Sequence, residues 1–153
     1  MLFRLPIRTF LFFQRHRRGL TLGVRAVVFD AQNRVLLIKH SYTPGWHFPG
    51  GGVERRETIA EAMARELEEE SGIALTGEAE LFGLYLQRAH GARDHVAVYV
   101  CRHWRQARRP QYPNIEIVDA QFFALDALPA DITKPTRRRI AEIVEGAPRS
   151  ADW

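Results

Sequence analysis

Residues 51–73 read GGVERRETIAEAMARELEEESGI, a glycine-rich loop followed by an amphipathic helical pattern. Thr58, with Glu61 three residues later, has the pattern of a capping box and predicts that a helix begins there. Apolar residues then recur at helical spacing, and Gly72 is a typical residue just beyond a helix C-terminus. We therefore predict one helix between Thr58 and Gly72, with its apolar stripe facing the protein body.

Three glutamates near the end of this helix lie on the side that should face the protein. Because each helical residue turns by about 100°, Glu70 and Glu69 lie about 40° and about 60° to either side of Glu66, whereas Glu68 faces solvent. Like charges at this spacing and at the negative end of the helix macrodipole destabilise the helix, and burial adds a desolvation cost. A hard cation such as Mg²⁺ or Mn²⁺ would remove these costs. A purely structural acidic helix is the alternative.

Segments rich in β-branched and apolar residues lie on both sides of this helix and predict strands. The predicted strands cover residues 20–30, 34–40, 81–87, 95–102 and 120–125. Residues 136–144 predict a second helix, residues 105–113 a basic loop, and the tail from Gly146 a loose segment. A strand pair, a helix, several strands and a further helix predict an α/β or α+β layered fold.

Composition is typical of a single globular domain. The chain has 153 residues, of which 46% are hydrophobic, and its one cysteine, Cys101, excludes an intrachain disulfide and favours a reducing, cytoplasmic location. Cys101 ends an apolar alternation, so we interpret it as a strand residue rather than a reactive thiol. The net charge of +4 and the pI of about 9.7 favour anionic partners such as polyphosphates, nucleic acid or a membrane surface.

The segment 1–19 is basic and amphipathic and contains no acidic residue. Pro6 and Arg8 interrupt its apolar run and no small-residue cleavage site follows, which argues against a signal peptide. No run reaches the ~18 apolar residues of a membrane span. We expect an arm over residues 1–19 and a single domain over residues 20–153. The arm would pack on its own domain or on a homodimer partner, or contact a membrane surface.

The opening segment matches a known pattern at every defined position. The Nudix box, G-x5-E-x7-R-E-U-x-E-E-x-G-U, is reproduced by Gly51, Glu57, Arg65, Glu66, Leu67, Glu69, Glu70, Gly72 and Ile73. The chain therefore resembles the MutT-like Nudix hydrolases, which implies an α/β/α sandwich around a mixed β-sheet. The resemblance also implies a Mg²⁺- or Mn²⁺-dependent enzyme that hydrolyses a nucleoside diphosphate linked to another group. One residue departs from the pattern of many members: Arg56 stands where they have glycine, which puts the local loop geometry in question.

The resemblance implies a role for individual residues of the box. The positions that correspond to metal ligands are Glu66, Glu69, Glu70 and the carbonyl of Gly50. Glu57 and Arg65 correspond to residues that orient these carboxylates. Without the resemblance, Arg65 would be interpreted as an exposed helix residue paired with a neighbouring glutamate.

The carboxylate that takes the proton from the attacking water is open among three residues. Family members use or are proposed to use the positions of Glu66 and Glu69, or a glutamate outside the box. Glu116, which follows the loop at residues 110–114, is our candidate for the outside residue. An ordinary loop acid is the alternative interpretation of Glu116.

Substrate contacts are predicted from residue type alone. Arg88 and Arg93 are candidates for binding phosphate oxygens, and a surface position without a role is the alternative for each. Trp46 and Tyr42 are candidates for stacking on a base, whereas Phe48 is expected in the core. The secondary patterns of the ADP-ribose, coenzyme A and dinucleoside-polyphosphate subgroups are absent. Their absence favours a nucleoside triphosphate as substrate, or a house-cleaning activity, and in either case a small-molecule nucleotide.

A nucleotide-sensing or nucleic-acid-binding module on the same fold, without turnover, is the alternative function. Its basic residues would contact phosphates. The intact box favours the enzyme, and we expect no specific nucleic acid partner.

Overall fold

The computed structural model describes residues 20–89 and 94–153. The strands in these ranges are β1 Thr21–Val28, β2 Val35–His40, β3 Trp46–His47, β4 Ile73–Leu75, β5 Glu80–Gln87, β6 Asp94–Cys101, β7 Trp104–Gln106 and β8 Ile117–Phe123. The helices are α1 Ile59–Ser71 and α2 Lys134–Ile140, and α2 continues into a π-helical turn, Ala141–Glu145. Within the described ranges, no helix has the length and apolar character needed to span a bilayer. The predicted arm at residues 1–19 lies outside the described residues.

Two three-stranded sheets form the centre of the part that the structure describes. In one, β6 lies between β1 and β5; it pairs parallel with β1 and antiparallel with β5, so this sheet is mixed. In the other, β2 lies between β3 and β8 and pairs antiparallel with both. β4 follows α1 directly and pairs antiparallel with β7.

The two faces of β6 belong to different hydrophobic cores, because successive residues of a strand point to opposite sides of the sheet. One core includes Val96, Val98 and Val100 of β6 together with Trp46, Phe48 and Ile140. The other core includes Ala97, Tyr99 and Cys101 of β6 together with Ala62, Met63 and Leu67 of α1. A helix therefore covers each face, which confirms the expected α/β/α sandwich around a mixed sheet.

The ends of α1 form as the sequence predicts. The amide of Glu61 donates to Oγ1 of Thr58 at 3.2 Å, and the Glu61 carboxylate accepts from the Thr58 amide at 2.8 Å, so both bonds of the capping box are present. Gly72 ends the helix with a φ of 70°, a left-handed conformation that favours glycine. The boundaries of the helix are thus fixed by local side-chain chemistry.

The structure adds three short strands that the sequence analysis did not predict: β3, β4 and β7. Segments of two or three residues are too short to show a two-residue hydrophobic period, so only their pairing partners define them. β7 extends into the segment expected to be a loop from residue 105, and that part of the prediction is wrong. β8 begins at Ile117 rather than at residue 120, because it continues to pair with β2 up to His40.

The tail after Gly146 is attached to β5, so the expectation of a loose tail is wrong. The amide of Leu86 donates to the carbonyl of Ala151, and the amide of Trp153 donates to the carbonyl of Leu86, both at 2.9 Å. The polar composition of the tail does not reveal this pairing, because it uses backbone groups that every residue carries.

A buried ion pair anchors the same tail. Arg139 and Glu142 have almost no exposed side-chain surface, and the distance from Nη2 of Arg139 to Oε1 of Glu142 is 2.7 Å. Arg139 also donates to the carbonyl of Asp152 at 2.9 Å, and Glu142 accepts from the Tyr85 hydroxyl and the Ser150 amide, each at 3.0 Å. These additional hydrogen bonds offset the cost of burying both charges.

We expect Glu142→Ala to lower the free energy of unfolding by about 3–5 kcal/mol, because it leaves the buried guanidinium of Arg139 without its carboxylate. Urea denaturation followed by circular dichroism measures this loss. Glu145→Ala, an exposed position in the same π-helical turn, is the matched control. Equal losses in the two variants would contradict an anchoring role for Glu142.

Arg56, the residue that departs from glycine, adopts a φ of 64°. This left-handed conformation costs an L-residue with a side chain about 1–2 kcal/mol, whereas glycine adopts it freely but has more conformational entropy to lose. We expect Arg56→Gly to raise the free energy of unfolding by about 0.5–1 kcal/mol. Arg55→Gly, at a position without positive φ, should lower it. Denaturation midpoints of the two variants compare these effects, and a loss of stability in Arg56→Gly would show that the strain is absent.

Candidate active site

The loop that precedes α1 runs along β1 as a backbone-paired segment. The amides of Val24 and Ala26 donate to the carbonyls of Gly51 and Pro49, each at 2.9 Å. Gly50 lies between these two carbonyl groups with a φ of 147°, and a β-carbon there would collide with the backbone of Val24. The position therefore needs glycine, both for its conformation and for the close approach to β1.

The same loop contacts the last turns of α1. The amide of Gly50 donates to Oε2 of Glu70 at 2.8 Å. A β-carbon on Gly51 would overlap the carboxylate of Glu66. The glycine-rich loop and the helix carboxylates, which the sequence analysis placed in one site, are thus in direct contact.

Glu70 is the most buried of the three carboxylates, with 7% of its surface exposed. Burial raises the pKa of Glu70 to about 8; the Gly50 amide and the charge of Arg25 oppose the rise, and Glu66 and Glu116 add to it. Nε2 of His40 lies 3.9 Å from Oε1 of Glu70. A carboxylate held in this position is costly to ionise unless a cation joins it.

Glu66 and Glu69 both face Arg65. Nη1 of Arg65 lies 2.8 Å from Oε1 of Glu66 and 3.6 Å from Oε2 of Glu69. Burial raises the pKa of Glu66, although the hydrogen bond from Arg65 opposes this rise. The Glu69 side chain is 54% exposed, so solvent screens its charge far more than that of Glu66.

Arg65 is held by Glu57 in a two-point contact. Nε and Nη2 of Arg65 donate to the two carboxylate oxygens of Glu57 at 2.7 and 3.0 Å, and Nη2 also donates to the carbonyl of Gly52 at 3.2 Å. A bidentate guanidinium–carboxylate pair fixes the plane of both groups. The geometry therefore supports the expected orienting role of Glu57 and Arg65 toward Glu66.

Two candidates from outside the box lie beside these carboxylates. The backbone carbonyl of Glu116 accepts from the Ser41 amide at 2.9 Å. The charge of the Glu116 side chain contributes to the raised pKa of Glu70. Tyr42 is 71% exposed, and partial desolvation followed by the charge of Glu70 raises the pKa of its phenol. The roles predicted for Glu116 and Tyr42 remain predictions.

Three other candidates are placed differently. Trp46 is 7% exposed, and its ring packs edge-on against Phe123 in the core, so it offers little surface for stacking on a base. Arg88 forms an exposed ion pair with Asp152 of the tail at 2.9 Å, a placement that does not support phosphate binding. Arg93 lies outside the described residues.

Sequence reasoning missed three residues of the site: Arg25 on β1, His40 at the end of β2 and His47 on β3. The rings of His40 and His47 lie 5.6 Å apart, and those of His40 and Tyr42 lie 5.0 Å apart. Burial, followed by the charge of Arg25, lowers the pKa of His40 to about 4. Arg25 alternates with the buried residues Val24 and Ala26, and this isolated charge within an apolar strand was the available signal.

The donor set is suited to a hard divalent cation. In this arrangement no three His, Cys, Asp or Glu side chains of the described residues converge as a ready-made ligand set. Glu69 lies against Arg65, and Glu70 accepts from the Gly50 amide. The carboxylates nevertheless share one end of α1, and burial raises the pKa of both Glu66 and Glu70. Carboxylate oxygens are hard ligands of the kind that Mg²⁺ or Mn²⁺ prefers, and a bound cation would offset the cost of ionising them.

Cys101 has no part in the site. It is fully buried, its Sγ lies 3.7 Å from Sδ of Met63, and burial raises the pKa of its thiol to about 12. A thiol with this environment is unreactive at neutral pH. The interpretation of Cys101 as a strand residue is confirmed.

A family model described as the NUDIX domain matches residues 19–143. The chain belongs to the NUDIX family. The resemblance based on the Nudix box is therefore confirmed, and the glycine loop and the carboxylate end of α1 are the NUDIX elements of this chain.

Similar proteins are known in sequence and in structure. A MutT NUDIX hydrolase from Burkholderia pseudomallei is 30% identical, with 83% of this chain and 100% of that chain covered and a TM-score of 0.70. An ADP-ribose pyrophosphatase from Streptococcus suis is 25% identical over 87% of this chain and 95% of that chain, with a TM-score of 0.60. An RNA pyrophosphohydrolase from Histophilus somni is 30% identical over 93 residues, 61% of this chain and 40% of the relative. The aligned part thus spans less than half the length of that relative.

Stability of the metal-free NUDIX domain should fall between pH 6.5 and pH 8. The folding-induced rise in the pKa of Glu70 from 4.5 to about 8 supplies stability that is complete below pH 4.5 and is lost as the pH rises through 8. The pKa of His40 is lowered from 6.5 to about 4, so His40 changes the free energy of unfolding with pH only below pH 6.5. We expect a loss of about 1–2 kcal/mol across this window.

Urea denaturation in the presence of a chelator at the two pH values measures the loss. Glu70→Gln should remove most of it, because the amide does not titrate, whereas Glu68→Gln, at an exposed position of the same helix, should leave it unchanged. A wild-type stability that is equal at both pH values would contradict the burial of an ionisable Glu70.

Proposed function

We propose that the chain is a Mg²⁺- or Mn²⁺-dependent hydrolase that cleaves the diphosphate linkage of a nucleoside diphosphate joined to another group. The observation that carries this proposal is the buried carboxylate of Glu70 held by the Gly50 amide, at the end of a complete Nudix box. Burial raises the pKa of Glu70 to about 8, so the carboxylate is costly to ionise, and a bound cation would offset that cost.

Metal binding is assigned to the end of α1 and the adjoining loop. The proposed ligands are Glu66, Glu69, Glu70 and the carbonyl of Gly50. A bound divalent ion would neutralise phosphate charge and lower the pKa of a water molecule. Glu69 would turn from Arg65 toward the site, a movement that its exposure allows.

The remaining residues would position groups and move the proton. Glu57 holds the guanidinium of Arg65 in place through two hydrogen bonds, and Arg65 in turn fixes the Glu66 carboxylate. Glu66, Glu69 or Glu116 would take the proton of the attacking water. The backbone of Glu116 pairs with Ser41, next to His40, whose ring lies 3.9 Å from Glu70, and this placement supports the candidacy of Glu116. Tyr42 offers an exposed ring beside these carboxylates for stacking on a base.

The names of the relatives share a linkage rather than a nucleotide. One is named for RNA and another for ADP-ribose, and both names specify a pyrophosphate bond. This agreement supports hydrolysis of a diphosphate. A nucleoside triphosphate remains the substrate that the absence of subgroup patterns favours. A cytoplasmic location, a homodimer and a membrane contact through residues 1–19 remain predictions.

A product-mass screen tests the activity directly. Nucleoside triphosphates, nucleotide sugars and dinucleotides are incubated with the full chain and Mg²⁺, and cleavage between two phosphates is expected for at least one class. Glu66→Gln and Glu70→Gln should lower kcat/KM by about 100-fold or more, because each removes a proposed metal ligand. Glu68→Gln, which changes the same charge on the solvent side of α1, should stay within about threefold of wild type.

Two results would overturn the proposal. Absence of turnover across the screen by a folded, metal-loaded protein would remove the hydrolase function, and nucleotide binding without turnover would then favour the sensing module. Full activity of Glu70→Gln would show that the carboxylate cluster is not the catalytic centre.

A further inference from the structure

Arg25 lies against the loop that holds the site together. It is half-buried on β1, between the two residues whose amides bond to the carbonyls of Gly51 and Pro49. A β-carbon on Gly50 would come within 3.0 Å of the Arg25 α-carbon. The amide of that same Gly50 donates to Glu70. The α-carbon of Arg25 therefore lies next to the glycine whose amide binds the Glu70 carboxylate.

Despite this position, Arg25 has no acidic partner in the described part of the chain. Among the residues that the structure describes, no carboxylate lies within ion-pairing distance of its guanidinium; Glu66 and Glu69 pair with Arg65 instead. The hydrogen bond recorded for the Arg25 side chain goes from Nη1 to the carbonyl of the preceding residue, Val24, at 3.2 Å. A guanidinium has five N–H donors, so within residues 20–89 and 94–153 most of the donors of Arg25 have no acceptor.

Three aromatic side chains form a row beside Glu70. His40, Tyr42 and His47 form a chain of ring contacts of 5.0 and 5.6 Å next to Glu70, and the titration of each of them responds to the charge of Arg25. The acidic end of α1 thus has Arg25 and several hydrogen-bonding side chains near it within the part of the chain that the structure describes.

We infer that Arg25 is a substrate-binding residue whose guanidinium holds phosphate oxygens of the substrate on the side opposite the α1 carboxylates. The inference rests on the proposed function, since it concerns the same site. A half-buried arginine with spare donors is suited to a phosphate, which it can contact with two parallel hydrogen bonds. With a divalent ion on the carboxylates, phosphate charge would lie between two cationic surfaces.

The competing explanation is that Arg25 only balances the charge of the carboxylates. The two explanations predict different results for Arg25→Lys, because lysine keeps the positive charge but loses the planar, two-point contact. Under either explanation, removing the charge of Arg25 leaves divalent-ion affinity equal or tighter, because a repulsion between two cations disappears. A weaker affinity of Arg25→Met for a phosphate compound would therefore not come from weaker metal binding.

Inorganic pyrophosphate is the direct probe, because it contains the linkage and nothing else of the substrate. Isothermal titration calorimetry of the Mn²⁺-loaded full chain measures its Kd for wild type, Arg25→Met, Arg25→Lys and the control Arg138→Met, an exposed arginine of α2. We expect Kd to rise at least about tenfold in Arg25→Met and by a smaller factor, about threefold or more, in Arg25→Lys. Arg138→Met should match wild type. Loss of the Mn²⁺ electron paramagnetic resonance signal on binding reports metal affinity, and circular dichroism reports folding.

The outcomes separate the inference from the function it rests on. No pyrophosphate binding by wild type, or equal Kd in wild type and Arg25→Met, overturns the role of Arg25 even if nucleotides are hydrolysed. Full restoration by Arg25→Lys also overturns it and leaves charge balance as the explanation. An Arg25-dependent Kd supports it even if the product-mass screen finds no turnover. If Arg25→Met does not fold, the Arg25→Lys result decides.

Discussion

The hydrogen bond from the Gly50 amide to the Glu70 carboxylate connects the two segments on which the site depends. On one side it fixes the glycine loop, whose carbonyls are already tied to β1. On the other it fixes the C-terminal turns of α1, whose Met63 and Leu67 pack on the sheet. The loop is hydrogen-bonded to β1, and α1 packs on the core beside β1. These two attachments together fix the relative position of the Gly50 amide and the Glu70 carboxylate. The position of the carboxylates is thus set by the sheet rather than by the helix alone.

Negative charge in this position works against folding. Glu66 and Glu70 are largely removed from water, and burial raises the pKa of each. Arg65 compensates part of this charge, and Glu57 in turn compensates Arg65 and fixes its plane. Glu57, Arg65 and Glu66 thus form a row of alternating charges, and Glu70 is the more deeply buried carboxylate beyond them. A fold that tolerates this cost has a carboxylate whose ionisation depends on what binds next to it.

The sequence predicted features that depend on local chemistry. The capping box at Thr58 and the left-handed Gly72 bound α1 as expected. The helical period correctly placed Glu66 and Glu70 toward the body and Glu68 toward solvent, but it also placed Glu69 toward the body, and the structure has Glu69 exposed. The fixed spacing of the Nudix box was enough to identify the family. These features were accessible because each depends on residues within one or two helical turns.

Features that depend on distant partners were not predicted. Trp46 was a candidate for stacking from its residue type, but its ring packs against Phe123 of β8, about half the chain away in sequence. Arg25 received no role because its neighbours in the site come from β2, β3 and α1. A one-dimensional pattern can show that a charge interrupts an apolar strand, but the groups that the charge faces are set by the order of strands in the sheet.

The attachment of the tail to Leu86 also protects the sheet. β5 is the outer strand of the mixed sheet in the part of the chain that the structure describes. An outer strand with open amides and carbonyls can add a strand from another molecule. Both backbone groups of Leu86 are taken by Ala151 and Trp153, and the buried pair of Arg139 and Glu142 keeps them in place. The residues that close the hydrophobic core around Tyr85 therefore also cover the outer edge of β5 at Leu86, where open backbone groups could otherwise pair with another chain.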